Sequence, residues 1–177
     1  MVRSVLRMLL IVTPVLGAAQ SFEEYQTTRA NVRLSATNVG TFGNAFRGYR
    51  DGSGTPSMEY PAGSGIEHLF EGGLWFGGID NGIVRVSTSA YDAPQGYAPG
   101  RGGFEFNATQ GVNVVEKSSL RSSPNYRADA VSHQDFVCSF NDSEILVPGT
   151  SIPINNHINP MDLDVDMSVY NLSLVHI

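Results

Sequence analysis

Three aspartates at alternate positions, Asp162, Asp164 and Asp166, form the sharpest chemical constellation in the chain. On a β-strand, residues two apart share a face and stand about 7 Å from each other. Met161, Leu163, Val165, Met167 and Val169 would then line the opposite face. Like charges so spaced repel, and a hard, oxygen-seeking cation such as calcium relieves the repulsion. An EF-hand would also need glycine at its sixth loop position and glutamate at its twelfth. Met167 and Ser173 stand there instead. The same alternation also describes a half-buried strand with a solvated acidic face, whose charges water screens. Asp162, Asp164 and Asp166 are carried forward as a candidate calcium site, and the sequence gives no other metal or cofactor assignment.

Acid–base and nucleophilic chemistry finds less support. His68, His133, His157 and His176 are far apart, and none forms H-E-x-x-H or another compact zinc pattern. His133-Gln134-Asp135 suggests a triad with one of the serines as nucleophile. A G-x-S-x-G elbow is missing, however, since Gly63-Ser64-Gly65 has the wrong spacing. Glu59, Glu67 and Glu71 near Trp75 and Phe76 have the carboxylate-plus-aromatic makeup of sugar-cleaving sites. Such sites need two carboxylates at a set separation, and Trp75 reads more simply as a core residue. Cys138 is the sole cysteine, which excludes an intrachain disulfide. In a strand it shares a face with Phe136 and Phe140, the setting of a small buried hydrophobe. No catalytic residue is assigned.

The glycine-rich stretch RGYRDGSGTPSMEYPAGSG (residues 47–65) has no phosphate-binding logic. It lacks G-x-x-x-x-G-K-[ST], and no helix follows it as a dinucleotide loop requires. Its glycines read as turn residues in an ordered surface loop, and its tyrosines as anchors. Asn107, Asn141 and Asn171 each open an N-x-[ST] glycosylation pattern, a short motif easily met by chance.

The elements that must position these groups read as strands. Short apolar–polar alternations recur between glycine and proline punctuation, as in a sandwich or barrel. Residues 31–37 (NVRLSAT) form one such run, and residues 112–115, 135–140, 144–147 and 161–169 form others. Residues 74–79 (LWFGGI) and 83–89 (IVRVSTS) flank Asp80-Asn81-Gly82, a strong hairpin signal because Asn-Gly tolerates positive φ. Only residues 22–30 (FEEYQTTRA) suggest a turn of helix. Residues 91–103 make a second long loop rich in glycine and proline. The expected class is all-β, an antiparallel β-sandwich-like domain with long Gly/Pro-rich loops.

Residues 1–19 read as a secretory signal peptide: basic Arg3 and Arg7, then apolar MLLIVTPVL, then small Gly17-Ala18-Ala19 before Gln20. The apolar run falls short of the ~20 residues that span a bilayer, and no longer one follows, so no transmembrane anchor is expected in this segment. Residues 20–177 then form one β-rich domain. Without Arg3 and Arg7, nine basic residues face seventeen acidic ones, a net charge of −8. So acidic a chain repels phosphate backbones and anionic lipid, which argues against nucleic-acid partners. The strand-like ending NLSLVHI (residues 171–177) suggests further strands beyond Ile177, because an open edge invites aggregation.

Several runs resemble the N-terminal region of large exported proteins from bacteria that use the type IX secretion route. The longest is NVGTFGNAFRGYRDGSGTPSMEYPAGSGIEHLFEGGLWFGGIDNG (residues 38–82), followed by VSTSAYD, SPNY, VSHQDFV and VPGTSIPINNH. The resemblance implies more β modules after Ile177, a C-terminal sorting domain, and the export machinery as a partner. It carries no site residues. The expected function is a secreted or cell-surface structural or adhesion module without its own catalytic site. Its partners would be neighbouring β modules or a glycan or other cell-surface partner. The alternative is an accessory domain of an exported polysaccharide or peptide hydrolase whose catalytic residues lie beyond Ile177.

Overall fold

The computed structural model describes residues 22–90, 105–109, 114–147, 151–154 and 157–172. They are almost entirely strand and loop. In chain order come β1 (Glu24–Gln26), β2 (Arg33–Thr37), β3 (Thr41–Phe42), the short helix α1 (Arg47–Asp51), β4 (Met58–Glu59) and β5 (Gly72–Gly73). Then follow β6 (Trp75–Asp80), β7 (Ile83–Thr88), β8 (Asn107–Ala108), β9 (Val115–Lys117), β10 (Asp135–Asn141) and β11 (Asp164–Tyr170). Every pairing between these strands is antiparallel. Among the described residues they form a β1-β2-β3-β5 sheet with β4 beside β2, a β11-β10-β8 sheet with β9 beside β10, and the β6–β7 hairpin. No described helix is long and apolar enough to cross a membrane.

The core grows from the alternation of β10. Phe136, Cys138 and Phe140 point inward and are all buried. The register with β11 sets Val169, Met167 and Val165 opposite them in turn. Phe106 stands edge-on to Phe140 at 5.3 Å and to Phe76 of the hairpin at 5.6 Å. Tyr25 of β1 lies 4.4 Å from Phe136, and Phe42 of β3 packs on the same cluster. All three sheets therefore share one apolar core, where each buried aromatic contributes about 1.5–3 kcal/mol.

The hairpin turns where the sequence predicts, with Asn81 at φ 49° and Gly82 at φ 79°. Two consecutive positive-φ residues give the tight turn whose twist matches the strands. Its two faces differ sharply. Phe76 and Ser87 are opposed on the inner face, while Trp75, Ile79, Val84 and Val86 share the outer one. Trp75 is 67% exposed, Ile79 76% and Val84 73%. The expectation that Trp75 is a core residue is corrected by the period of two: Phe76 faces inward, so its neighbour must face out.

Other expectations also yield to long-range contacts. Residues 22–30 hold no helical turn. Glu24, Tyr25 and Gln26 pair instead with Thr37, Ala36 and Ser35, and Tyr25 gains Phe136 as a partner. Residues 144–147 are not a strand, and a lone bridge joins Leu146 to Pro153. The strand expected over 161–169 begins only at Asp164, because Met161 and Leu163 give their N–H groups to Asp142. Of the strand expected over 112–115, residues 112 and 113 lie outside the described residues, and Val115 opens β9 (Val115–Lys117). The leader, the 91–103 loop and the tail from Ser173 lie outside the described residues.

Candidate functional site

The glycine-rich loop of residues 47–65 is ordered, and buried polar groups hold its base. Asn44 N donates to Ser57 Oγ at 2.9 Å, and Asn44 Nδ2 donates to Thr55 O at 3.1 Å. Ser35 Oγ donates to Pro56 O at 2.8 Å, and Ser57 Oγ to Phe70 O at 2.8 Å. Each bond satisfies a group that burial would otherwise leave costly. The helix α1 then passes close to the Thr55 backbone. A Cβ on Gly48 would stand 2.1 Å from Thr55 O, so this crossing demands glycine.

Between α1 and residues 54–67 lies a cavity of about 130 Å³. Gly48, Tyr49, Thr55, Glu59, Gly65 and Glu67 line it. Tyr49 Oη donates to Gly65 O at 3.1 Å and closes one side. The tyrosines do not anchor this loop by burial as expected, since Tyr49 is 66% exposed and Tyr60 48%. The apolar anchor is Phe46, edge-on to Phe70 at 5.2 Å.

Two carboxylates give the cavity its electrostatics. Glu67 accepts N–H from Ser57 at 3.0 Å and from Met58 at 2.8 Å, one on each oxygen. Glu59 accepts the N–H of Gly65 at 2.7 Å and faces Arg33 at 3.5 Å. The backbone donors at Gly63 and Gly65, helped by Arg33, hold the Glu59 carboxyl below the ordinary glutamate value against an opposing cost of burial. Glu59 and Glu67 also bridge each other as antiparallel partners, so the fold brings together two of the three glutamates that the sequence grouped with Trp75. Trp75 itself stands on the outer hairpin face.

The remaining candidates are spent on structure or stand apart. Asp164 and Asp166 are exposed on β11, and Ser139 Oγ donates to Asp166 at 2.5 Å. Asp162 lies off the strand in the left-handed region, at φ 55°. Among the described residues no three His, Cys, Asp or Glu side chains converge as metal ligands, so the three aspartates are not brought together. Asp135 is buried and accepts N–H from Val131 at 2.6 Å and Ser132 at 2.9 Å, with a further bond from Ser132 Oγ. It clasps the turn that carries His133 instead of orienting an imidazole. His157 is buried with Nε2 2.8 Å from Asp142 O, His68 Nε2 is 2.8 Å from Tyr60 O, and His176 lies outside the described residues. Cys138 is buried beside Tyr25, and burial pushes its thiol up to about 11, the opposite of an activated nucleophile.

One residue escaped the sequence entirely. Asp142 is fully buried and accepts bonds from Ser87 Oγ at 2.6 Å, Met161 N at 2.9 Å and Leu163 N at 2.7 Å. It ties the hairpin to the end of β10 and to the approach of β11. An aspartate one residue after a strand carries no local signal for that role. Comparison with family models, curated proteins and solved structures found no match.

Proposed function

We propose that this chain is a non-catalytic module of a secreted or cell-surface protein, built as a β-sandwich and serving structure or adhesion. The observation that carries this reading is the use made of Asp135, the carboxylate of the His133-Gln134-Asp135 constellation. It is buried, and donors of its own turn occupy both of its oxygens. A triad aspartate must accept the ring N–H of its histidine, and the bonds of Asp135 go to Val131 and Ser132 instead. The uncharged, exposed hairpin face around Trp75 supports a contact role in addition. The N-terminal pattern of residues 1–19 supports export, with a mature chain beginning at Gln20.

The test has two parts. N-terminal sequencing of the protein recovered outside the cell should begin at Gln20; recovery only inside the cell would overturn the export reading. The purified chain should release neither reducing sugar nor new amino termini from polysaccharide and peptide panels. Turnover that disappears on substitution of one carboxylate or histidine would overturn the non-catalytic reading.

A further inference from the structure

Gly77 stands where the chain itself has no need of a glycine. The opposed pairs Trp75–Thr88, Gly77–Val86 and Ile79–Val84 share the outer hairpin face, so Gly77 lies in the row between Trp75 and Ile79. Its φ is not positive. A Cβ there would meet only Arg85 O at 3.8 Å and the Val86 side chain at 3.9 Å, both ordinary contacts. On Gly48 or Gly73, by contrast, a Cβ would meet backbone atoms at 2.1 or 2.4 Å. Glycine weakens a strand interior, and one that its own chain does not require marks a place where something outside comes close. The face therefore carries a knob beside a hole. The knob is the Trp75 indole, 67% exposed, and the hole is the gap over Gly77, two residues on and about 7 Å away.

We propose that two copies of this chain pair through the outer hairpin face, each Trp75 indole seated over the partner's Gly77. In a two-fold interface every contact is made twice, with the roles of the copies exchanged. A knob and its hole on one face meet that condition. Covering Trp75, Ile79, Val84 and Val86 on both copies removes on the order of 1,000 Å² of surface from water, the lower limit for a specific interface. The pairing is therefore micromolar and reversible. No charged side chain projects from this face, so two acidic copies meet on it without opposing like charges. Thr88 is the only polar position that β6 and β7 give to the face, and it is buried. That tells against a glycan, which needs polar groups to fix it beside a stacking ring. This inference rests on the contact role proposed above and names its partner.

The experiment is sedimentation velocity of the full chain from about 1 to 300 µM, with tryptophan emission followed over the same range. The mass should rise from monomer to dimer, and the emission should shift to the blue as each indole leaves water. Added salt should tighten the pairing severalfold, because it screens the repulsion between two chains of net charge −6. Gly77→Val fills the hole while its Cβ finds ordinary room in its own chain, so the melting midpoint should hold or rise as the dimer weakens about tenfold or more. Trp75→Ser removes the knob and should weaken the dimer about as much. A monomer at every concentration would overturn the proposal, and a blue shift of that monomer with soluble oligosaccharide would make the occupant a glycan. A dimer that both substitutions leave intact would overturn it as well, since the copies would then meet elsewhere. Either result leaves the turnover and export tests above untouched.

Discussion

Replacing Asp142 by alanine should be among the most damaging single changes to this fold. The substitution leaves one buried donor, Ser87 Oγ, and two partly buried ones, Met161 N and Leu163 N, without an acceptor. An orphaned buried donor costs about 1–3 kcal/mol, and partial relaxation brings the expected total to about 3–5 kcal/mol. Asp142→Asn keeps one oxygen and turns an amide toward the other donor, so it should cost roughly 1–2 kcal/mol. Ser87→Ala removes one donor and leaves Asp142 with two, at about 1 kcal/mol. Urea unfolding followed by far-ultraviolet circular dichroism reads all three. For a chain of this size the alanine variant should melt roughly 10 °C lower. Because Ser87 and Asp142 share a bond, the double variant should cost less than the sum of its singles. A loss under about 1 kcal/mol for Asp142→Ala would refute the view of Asp142 as the clasp between hairpin and sheet.

Four further outcomes follow from the structure. Gly48→Ala should destabilise by about 1–3 kcal/mol, because its Cβ meets the Thr55 backbone and neither side can yield cheaply; equilibrium unfolding measures it. Stability should fall as pH drops below about 4.5, because Glu59, Asp51 and Asp129 all have lowered folded-state values, and groups of that kind lose their contribution as they protonate; melting curves from pH 6 to 3 show it. Cys138 should resist a thiol reagent at pH 8 in the folded chain and react at once in urea, since burial keeps the thiol protonated; fast reaction of the native protein would contradict its placement. Calcium and chelator should give the same melting midpoint, because Asp162, Asp164 and Asp166 do not converge; a rise with calcium would show that they do.

What could be read in the sequence was local. Asn81-Gly82 announces its hairpin because the turn geometry depends on those two residues alone. The alternation of Phe136, Cys138 and Phe140 announces β10 because one face is buried along its whole length. Residues 24–26 misled because three polar-flanked residues have no period to read. They become a strand only through Thr37, Ala36 and Ser35 and through the ring of Phe136. Asp162 misled because the alternation of residues 161–169 continues past the point where Asp142 captures the backbone. The cavity was half legible. Glu59 and Glu67 were singled out, but their meeting depends on a single bridge between short extended segments. Trp75 reads as inward because large aromatics usually are, and the parity of Phe76 decides otherwise.

The outward tryptophan has a practical consequence. Trp75 is the chain's sole tryptophan, and it stands largely in solvent when the protein is folded. Its fluorescence therefore changes little on unfolding, which is why circular dichroism serves better for Asp142. The same indole stands on the uncharged hairpin face, at its open end opposite Thr88. Anything that settles on that face removes water from the ring and shifts its emission to the blue. The native chain thus carries a built-in optical sensor for what covers its hairpin, with no label and no background from a second indole.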